Sequence, residues 1–486
     1  MFKISLLWSH PEINPINKKA RSIPFLNPFT DNYGRVFFFS WFGFMIAFWS
    51  WYAFPPLLAD VIASDIHMLP SQVANSNIIA LVATLLVRLV AGPSCDRFGP
   101  RLTFVSCLLA GAVPTFLAGT VTNAAGLYAL RFFIGILGGS FVPCQVWTTG
   151  FFDRNVVGTA NALTGGLGNL GGGITYFVMP AVYDSLVKDG LPRHKAWRVS
   201  FVVPGILIVF VAACLLLLCE DTPTGRWDER ATAVKQSVRQ HSITGVDALG
   251  RITDVPLSVS RPSSQQQEKE KENPHDAWKD TEAHQQQPLS TQADDTAHGE
   301  IIEKPTLKST LAILFSLQTL VPAACYFCTF GAELSINSIL GTYYRENFPR
   351  LTLQEAGNWA AMFGLLNGVT RPLGGFVSDR AYNSVGSVWA KKAVLHVYGI
   401  VAGVFLIVIG VLDSKSRTTM FGLMGGMAVF LEGANGADFG LVYLPFYLLS
   451  LPSVLILSPF TAPSFYLTTF YCSPSPLQQT ILSNRS

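Results

Sequence analysis

Residues 88–97 read Arg-Leu-Val-Ala-Gly-Pro-Ser-Cys-Asp-Arg, and residues 371–380 read Arg-Pro-Leu-Gly-Gly-Phe-Val-Ser-Asp-Arg. Arg, Gly, Asp and Arg coincide at a single offset of 283. Each block closes a long apolar run and opens a short charged connector. The first arginine of each lies eight residues before the aspartate, so on a helix it sits about 12 Å deeper. A chain that repeats such a block in its two halves reads as a parallel duplication of a membrane-spanning unit, with a ligand held between the halves near mid-membrane.

The rest of the chain agrees. Half of its 486 residues are apolar and 13% are charged, against about 25% charged in ordinary soluble proteins. Mean hydropathy is +0.36. Apolar runs near the ~20 residues that cross a bilayer core cover 36–58, 71–93, 103–121, 126–147, 157–180 and 199–218, then 309–335, 355–378, 393–412 and 420–432. A last apolar stretch covers 442–471. Lipid offers no water to backbone groups, so these runs are expected as helices. The formal net charge of +3 suggests no nucleic-acid partner.

The domain plan follows: a cytoplasmic tail (1–35), a six-helix bundle (36–219), a linker (220–308), a second bundle (309–442) and an apolar tail rich in Ser and Pro (443–486). The linker carries Gln265–Gln267 and the charge run 268–272 without apolar periodicity, and is expected to be disordered. Lys and Arg gather in the N-terminal tail, at Arg97 and Arg101, and at Arg380, Lys391 and Lys392, which places the N-terminus and linker in the cytoplasm. The loop after span five dissents, with Lys188, Arg193, Lys195 and Arg198.

Arg88 and Arg371 carry the chemistry. An arginine deep in a span costs about 2.5–3.5 kcal/mol on insertion scales, so it should face a protein interior or a wet cavity. The same spans hold no acid placed to neutralise either one, so the pair reads as two converging cations without a protein counter-ion. A guanidinium fork matches planar oxyanions such as nitrate, nitrite or a carboxylate. Span five carries Gly-Gly-Leu-Gly-Asn-Leu-Gly-Gly-Gly over 165–173. Its glycines let helix backbones approach closely, and Asn169 either donates its amide to a substrate or bonds a neighbouring carbonyl. Tyr326 offers a hydroxyl. The clusters Asp96, Arg97 and Arg101, and Asp379 and Arg380, are expected either to gate or to anchor topology. The chain has no Ser/His/Asp set, metal-ligand cluster or phosphate loop, so neither an enzyme nor a cofactor or metal site is expected.

These residues resemble the nitrate/nitrite porter family of the major facilitator superfamily. The paired arginines, the glycine run with Asn169 and the segment Phe141-Val-Pro-Cys-Gln-Val-Trp147 carry the likeness, and the long central loop is similar to that of its fungal members. The resemblance implies the major facilitator fold, an all-α polytopic membrane protein of two pseudo-symmetric six-helix halves. It implies that Arg88 and Arg371 clamp nitrate, with Asn169 and Tyr326 adding hydrogen bonds, Phe48 walling the site, and Gly165, Gly168, Gly171 and Gly172 shaping it. It further implies proton-coupled import at the plasma membrane. Glu333 and Glu432 are the carboxylates nearest to a proton-carrier role.

The likeness stops after Val442. From Tyr443 to Ser486 Arg485 is the one charged residue, and Pro445, Pro452, Pro459 and Pro463 interrupt the apolar stretch. A C-terminal half of fewer helices, about eleven in the whole chain, and impaired transport are therefore expected. The same arginines also suit another small anion such as a monocarboxylate, and the tail suits a non-transporting product.

Overall fold

The structure, a computed structural model, describes residues 9–14, 17–25, 27, 31–153, 156–230, 232–233, 236 and 315–442. The tail after Val442 and nearly all of 231–308 lie outside these, as does the start of the seventh expected span. The described residues of 9–13, 18–230 and 315–442 fall in one compact unit. All the helices below belong to it.

Ten long helices run through the described residues. They are α1 (Asn32–Asp65), α2 (Pro70–Phe98), α3 (Pro100–Thr120), α4 (Ala124–Phe151), α5 (Val157–Lys188), α6 (Arg193–Leu218), α7 (Leu317–Asn347), α8 (Leu353–Val385), α9 (Val388–Leu412) and α10 (Arg417–Val442). Among the described residues, β-structure is limited to isolated bridges such as Ile13 with Ala20.

Seven of the ten are long and apolar enough to cross a membrane. The other three are α5, α8 and α10. Each gives up apolar residues for glycines and for buried polar groups: Asn169 on α5, Asn367 and Arg371 on α8, Glu432, Asn435 and Asp438 on α10. The polar helices are thus central. The outer surface is the reverse: in α9, the most apolar window is only 17% buried, and Ile400, Ile407 and Val411 face outward. A bilayer, not water, is the solvent such a surface suits.

Two expected spans change length. The short run 420–432 is part of a 26-residue helix, because the polar residues that end the apolar run are buried against α8 and α7. The run ending at 335 extends to Asn347, where Leu340 and Tyr344 pack into the second bundle. The expected linker also begins later. Residues 220–230 fold back beneath the first bundle, with Trp227 Nε1 donating to Asp96 O at 3.0 Å and the Trp227 ring against Gly99.

The first bundle closes through helix breaks that feed a buried arginine. Pro55 has no N–H to offer Trp51 O. Arg131 from α4 takes that carbonyl at 3.3 Å and Asn77 Oδ1 of α2 at 2.6 Å, while its guanidinium lies over Phe54. One side chain so ties α1, α2 and α4 together.

The glycine run of α5 packs two ways. On one side a Cβ on Gly168 would meet Phe44 and one on Gly171 would meet Met45 O, both on α1. On the other, a Cβ on Gly173 would lie 2.5 Å from Leu365 N and one on Gly166 would lie 2.8 Å from Asn367 O, both on α8. The run therefore brings α8, which carries Arg371, against the first bundle.

Candidate anion-binding site

Arg88 on α2 and Arg371 on α8 are both buried, at 6% and 0% exposure, and both converge on Phe330 of α7. The Arg88 guanidinium lies 5.7 Å and that of Arg371 5.4 Å from the Phe330 ring centre. Arg88 also lies 5.2 Å from the Phe141 ring centre, and its Nε donates to Gly138 O at 3.1 Å. That carbonyl belongs to a 3-10 segment of α4, Gly135–Ser140, where a Cβ on Gly138 would strike Thr84 of α2. The absent side chain is what lets α2 and α4 approach closely enough for the contact.

The aromatic wall is built from α7, α4 and α10. Tyr326 stacks on Phe330 at 5.0 Å, and Phe439 packs against both Tyr326 at 5.6 Å and Phe141 at 6.4 Å. Tyr326 is electrostatically coupled to both arginines. Yet Tyr326 Oη and Arg371 Nη1 each lack a hydrogen bond of acceptable geometry among the described residues. Tyr326 and Arg371 are nonetheless within side-chain hydrogen-bonding reach of each other.

Arg371 does have a counter-ion, contrary to the expectation from its own span. Its Nη2 lies 2.6 Å from Glu333 Oε2 of α7, both groups buried. Tertiary packing brings the acid from another helix, which no single apolar run discloses. The pair is embedded in amides: Arg371 Nε donates to Asn367 Oδ1 at 3.0 Å, Asn367 Nδ2 donates to Glu333 Oε1 at 2.9 Å, and Asn435 Nδ2 donates to Glu333 Oε2 at 2.6 Å. Beside it, Glu432 Oε2 stands 2.6 Å from Thr370 Oγ1.

The glycine run reaches this group. A Cβ on Gly165 would lie 3.6–3.9 Å from Gln145 Nε2, Phe439 and the Arg371 side chain, and one on Gly172 would meet Asn337 and Tyr52. Gly168 and Gly171 instead pack α1. Asn169 donates its amide to Gly165 O at 2.7 Å, so the neighbouring-carbonyl alternative holds for its N–H groups, while its Oδ1 has no partner among the described residues. Phe48 is packed among Phe44, Trp51 and Tyr52, and Phe44 and Phe141 stand between it and Arg88. The ring beneath Arg88 is Phe141. Asn367, Asn435 and Asp438 were not among the candidate residues; all are buried polar groups inside spans, the very signal that singled out the arginines.

The charged clusters bind within their own bundles. Arg101 Nε lies 2.6 Å from Asp221 Oδ1, and Arg101 also donates to the carbonyls of Leu216 and Cys219 at the end of α6. Asp379 pairs with Lys391 of α9 at 2.6 Å. Arg97 lies over Phe98, and Arg380 accepts Ser384 Oγ at its carbonyl. The pair joining the first bundle to α7 is at the other end: Arg345 Nη1 with Asp60 Oδ2 at 2.8 Å. There too Arg198 binds Asp65 at 2.6 Å, which removes one charge from the dissenting basic loop.

Comparison with known proteins places these features. The family model described as Major Facilitator Superfamily matches residues 40–450. The chain is 40% identical over 450 residues to Elsinochrome transporter 1 of Elsinoe fawcettii, covering 90% of this chain and 87% of that one. It is 28% identical over 416 residues to Nitrate transporter 2.1 of Chlamydomonas reinhardtii, covering 85% of this chain and 63% of that one. Among solved structures, a bacterial homolog of the human lysosomal transporter Spinster, inward-facing and occupied, superposes with a TM-score of 0.51 at 13% identity, covering 84% of this chain and 74% of that one.

Proposed function

The chain belongs to the Major Facilitator Superfamily, and on that premise we propose that it carries nitrate, and nitrite, across the plasma membrane by alternating access, as a proton-coupled importer with its N-terminus in the cytoplasm. The observation that carries the reading is the convergence of two buried guanidinium groups on one ring, Phe330. Two cations brought together in a low-dielectric interior favour an anion between them, and their planar forks suit a small trigonal oxyanion. Tyr326 Oη and Arg371 Nη1 lie close together with no regular hydrogen bond among the described residues, and both can donate to an oxyanion. Similarity to nitrate transporters across most of the chain supports the same substrate class. Coupling has an electrical reason. An anion entering a negative cell works against about 2.3 kcal/mol per 100 mV, which a co-transported proton offsets.

A second reading has its own support. Identity to the elsinochrome transporter is higher than to the nitrate transporters, and four aromatic rings line the arginines. On that reading the cargo is a larger organic anion with a flat ring system. Uptake of isotope-labelled nitrate by the full chain, in cells lacking their own nitrate transport and after surface expression is confirmed, separates the two. Saturable uptake that Arg88→Ala abolishes supports nitrate. Well-expressed protein that moves elsinochrome but not nitrate replaces it.

A further inference from the structure

We propose that Glu333 is the proton-binding site of the transport cycle: its carboxylate and an incoming anion compete for Arg371, and protonation of Glu333 yields the guanidinium to the anion. The inference rests on reading the site as an anion site, not on nitrate being the natural anion.

The geometry fixes the competition. The Arg371 edge formed by Nε and Nη2 is held by Asn367 and Glu333, at 3.0 and 2.6 Å. Nη1 makes no regular hydrogen bond among the described residues and has only Tyr326 within side-chain reach on that edge. An oxyanion at Nη1 would put two negative groups on one cation, inside a protein interior with little water to screen them. A bound anion therefore favours the neutral carboxyl, and by reciprocity the neutral carboxyl favours the anion.

Glu432 is the other acid in reach, and its contact is with Thr370 and not with Arg371. Thr370 Oγ1 stands 2.9 Å from Leu366 O and 2.6 Å from Glu432 Oε2. A hydroxyl has one hydrogen and a backbone carbonyl only accepts. Thr370 Oγ1 can give its one hydrogen to either oxygen, Leu366 O or Glu432 Oε2. Glu432 Oε1 has no hydrogen-bond partner among the described residues. Glu333 accepts three N–H donors, one of them from Arg371. Of the two acids it is the one whose carboxylate occupies Arg371, so it is the one an anion at Arg371 must displace or neutralise.

Other titratable groups face Glu333 as well. Arg371 approaches from α8, Glu432 from α10, Tyr52 from α1 and Tyr326 from its own helix. Only Arg371 brings positive charge by direct contact. A protonated Glu333 also has an acceptor at hand, because Asn435 Oδ1 is without a partner among the described residues while Asn435 Nδ2 already touches Glu333. A proton taken up at Glu333 cancels the charge of the anion at Arg371.

The test uses the purified full chain in weakly buffered solution with a pH indicator, and nitrate as the probe. Expected is uptake of about one proton per nitrate bound, with affinity falling about tenfold per pH unit wherever the carboxyl is ionised. Glu333→Gln is expected to bind nitrate more tightly at pH 7.5, with no proton uptake and no pH dependence. Glu333→Asp is expected to restore both. Nitrate binding without proton uptake by the unaltered chain overturns the assignment, as does proton uptake that persists in Glu333→Gln. The unaltered chain serves as the test even if the variants fail to fold. Absence of nitrate binding by the unaltered chain is a different result, and overturns the nitrate reading of the site.

Discussion

Arg88 and Arg371 occupy equivalent places in the two copies of one repeat, yet their surroundings differ. Arg88 leans on a backbone carbonyl of α4 and on the faces of Phe141 and Phe330. Arg371 is ion-paired to Glu333 and bonded to Asn367 within a buried network of side chains. Duplication sets where along a helix a residue lies. It does not set what a neighbouring helix presents to it. The difference divides the work: the first-bundle arginine is positioned by rings and a carbonyl, and the second-bundle arginine is held by a group whose charge can be switched.

Breaking the comparison at its strongest point gives the largest effect. Arg371→Ala leaves Glu333 buried without its cation, which in such pairs costs about 3–5 kcal/mol. Abolished uptake and a marked loss of thermal stability of the solubilised protein are expected together. Arg88→Ala is expected to abolish uptake too, at about 1–2 kcal/mol of stability for a hydrogen bond and ring contacts. Equal destabilisation by the two variants would show that the surroundings do not differ in kind.

A double variant sharpens the point. Arg371→Gln with Glu333→Gln removes both charges while keeping the shapes, and is expected to recover most of the stability that Arg371→Gln alone loses. Transport is expected to stay absent. A double variant no more stable than the single would mean that the ion pair is not the source of the cost.

Smaller effects test the frame around the arginines. Gly173→Ala forces a methyl group against Leu365 N and is expected to cost about 1–3 kcal/mol by overpacking. Gly331→Ala meets nothing within 4 Å and serves as the matched control in the same melting measurement. Smallest is Arg345→Gln. Its pair with Asp60 is about one-third exposed on both sides, so a loss below about 1 kcal/mol is expected, with uptake changed less than about fivefold.

Much of this was legible in the sequence, for reasons of depth. Apolar run length disclosed the helices, and an arginine inside a run announced an interior position because lipid makes any other position costly. The glycine run announced close packing. Azimuth was not legible. Whether Glu333 faces Arg371 depends on how α7 and α8 rotate against each other, which periodicity in either helix leaves open. The same limit hid Asn367 and Asn435 as partners and gave Phe48 a place that Phe141 holds. The length of α10 was misread because its buried polar residues look like the end of a span when counted by hydropathy alone. Applying the cost argument to every polar residue inside a run, and not to arginines only, would have singled out Asp438 and Asn435.

The most direct measurement is nitrate affinity of the purified full chain, set beside Arg88→Gln, Arg371→Gln and the double variant. If one anion engages both guanidinium groups, each single change is expected to weaken binding about ten- to hundredfold, and the double to lose much less than the product of the two. Arg88→Gln binding nitrate as tightly as the unaltered chain would contradict a shared site.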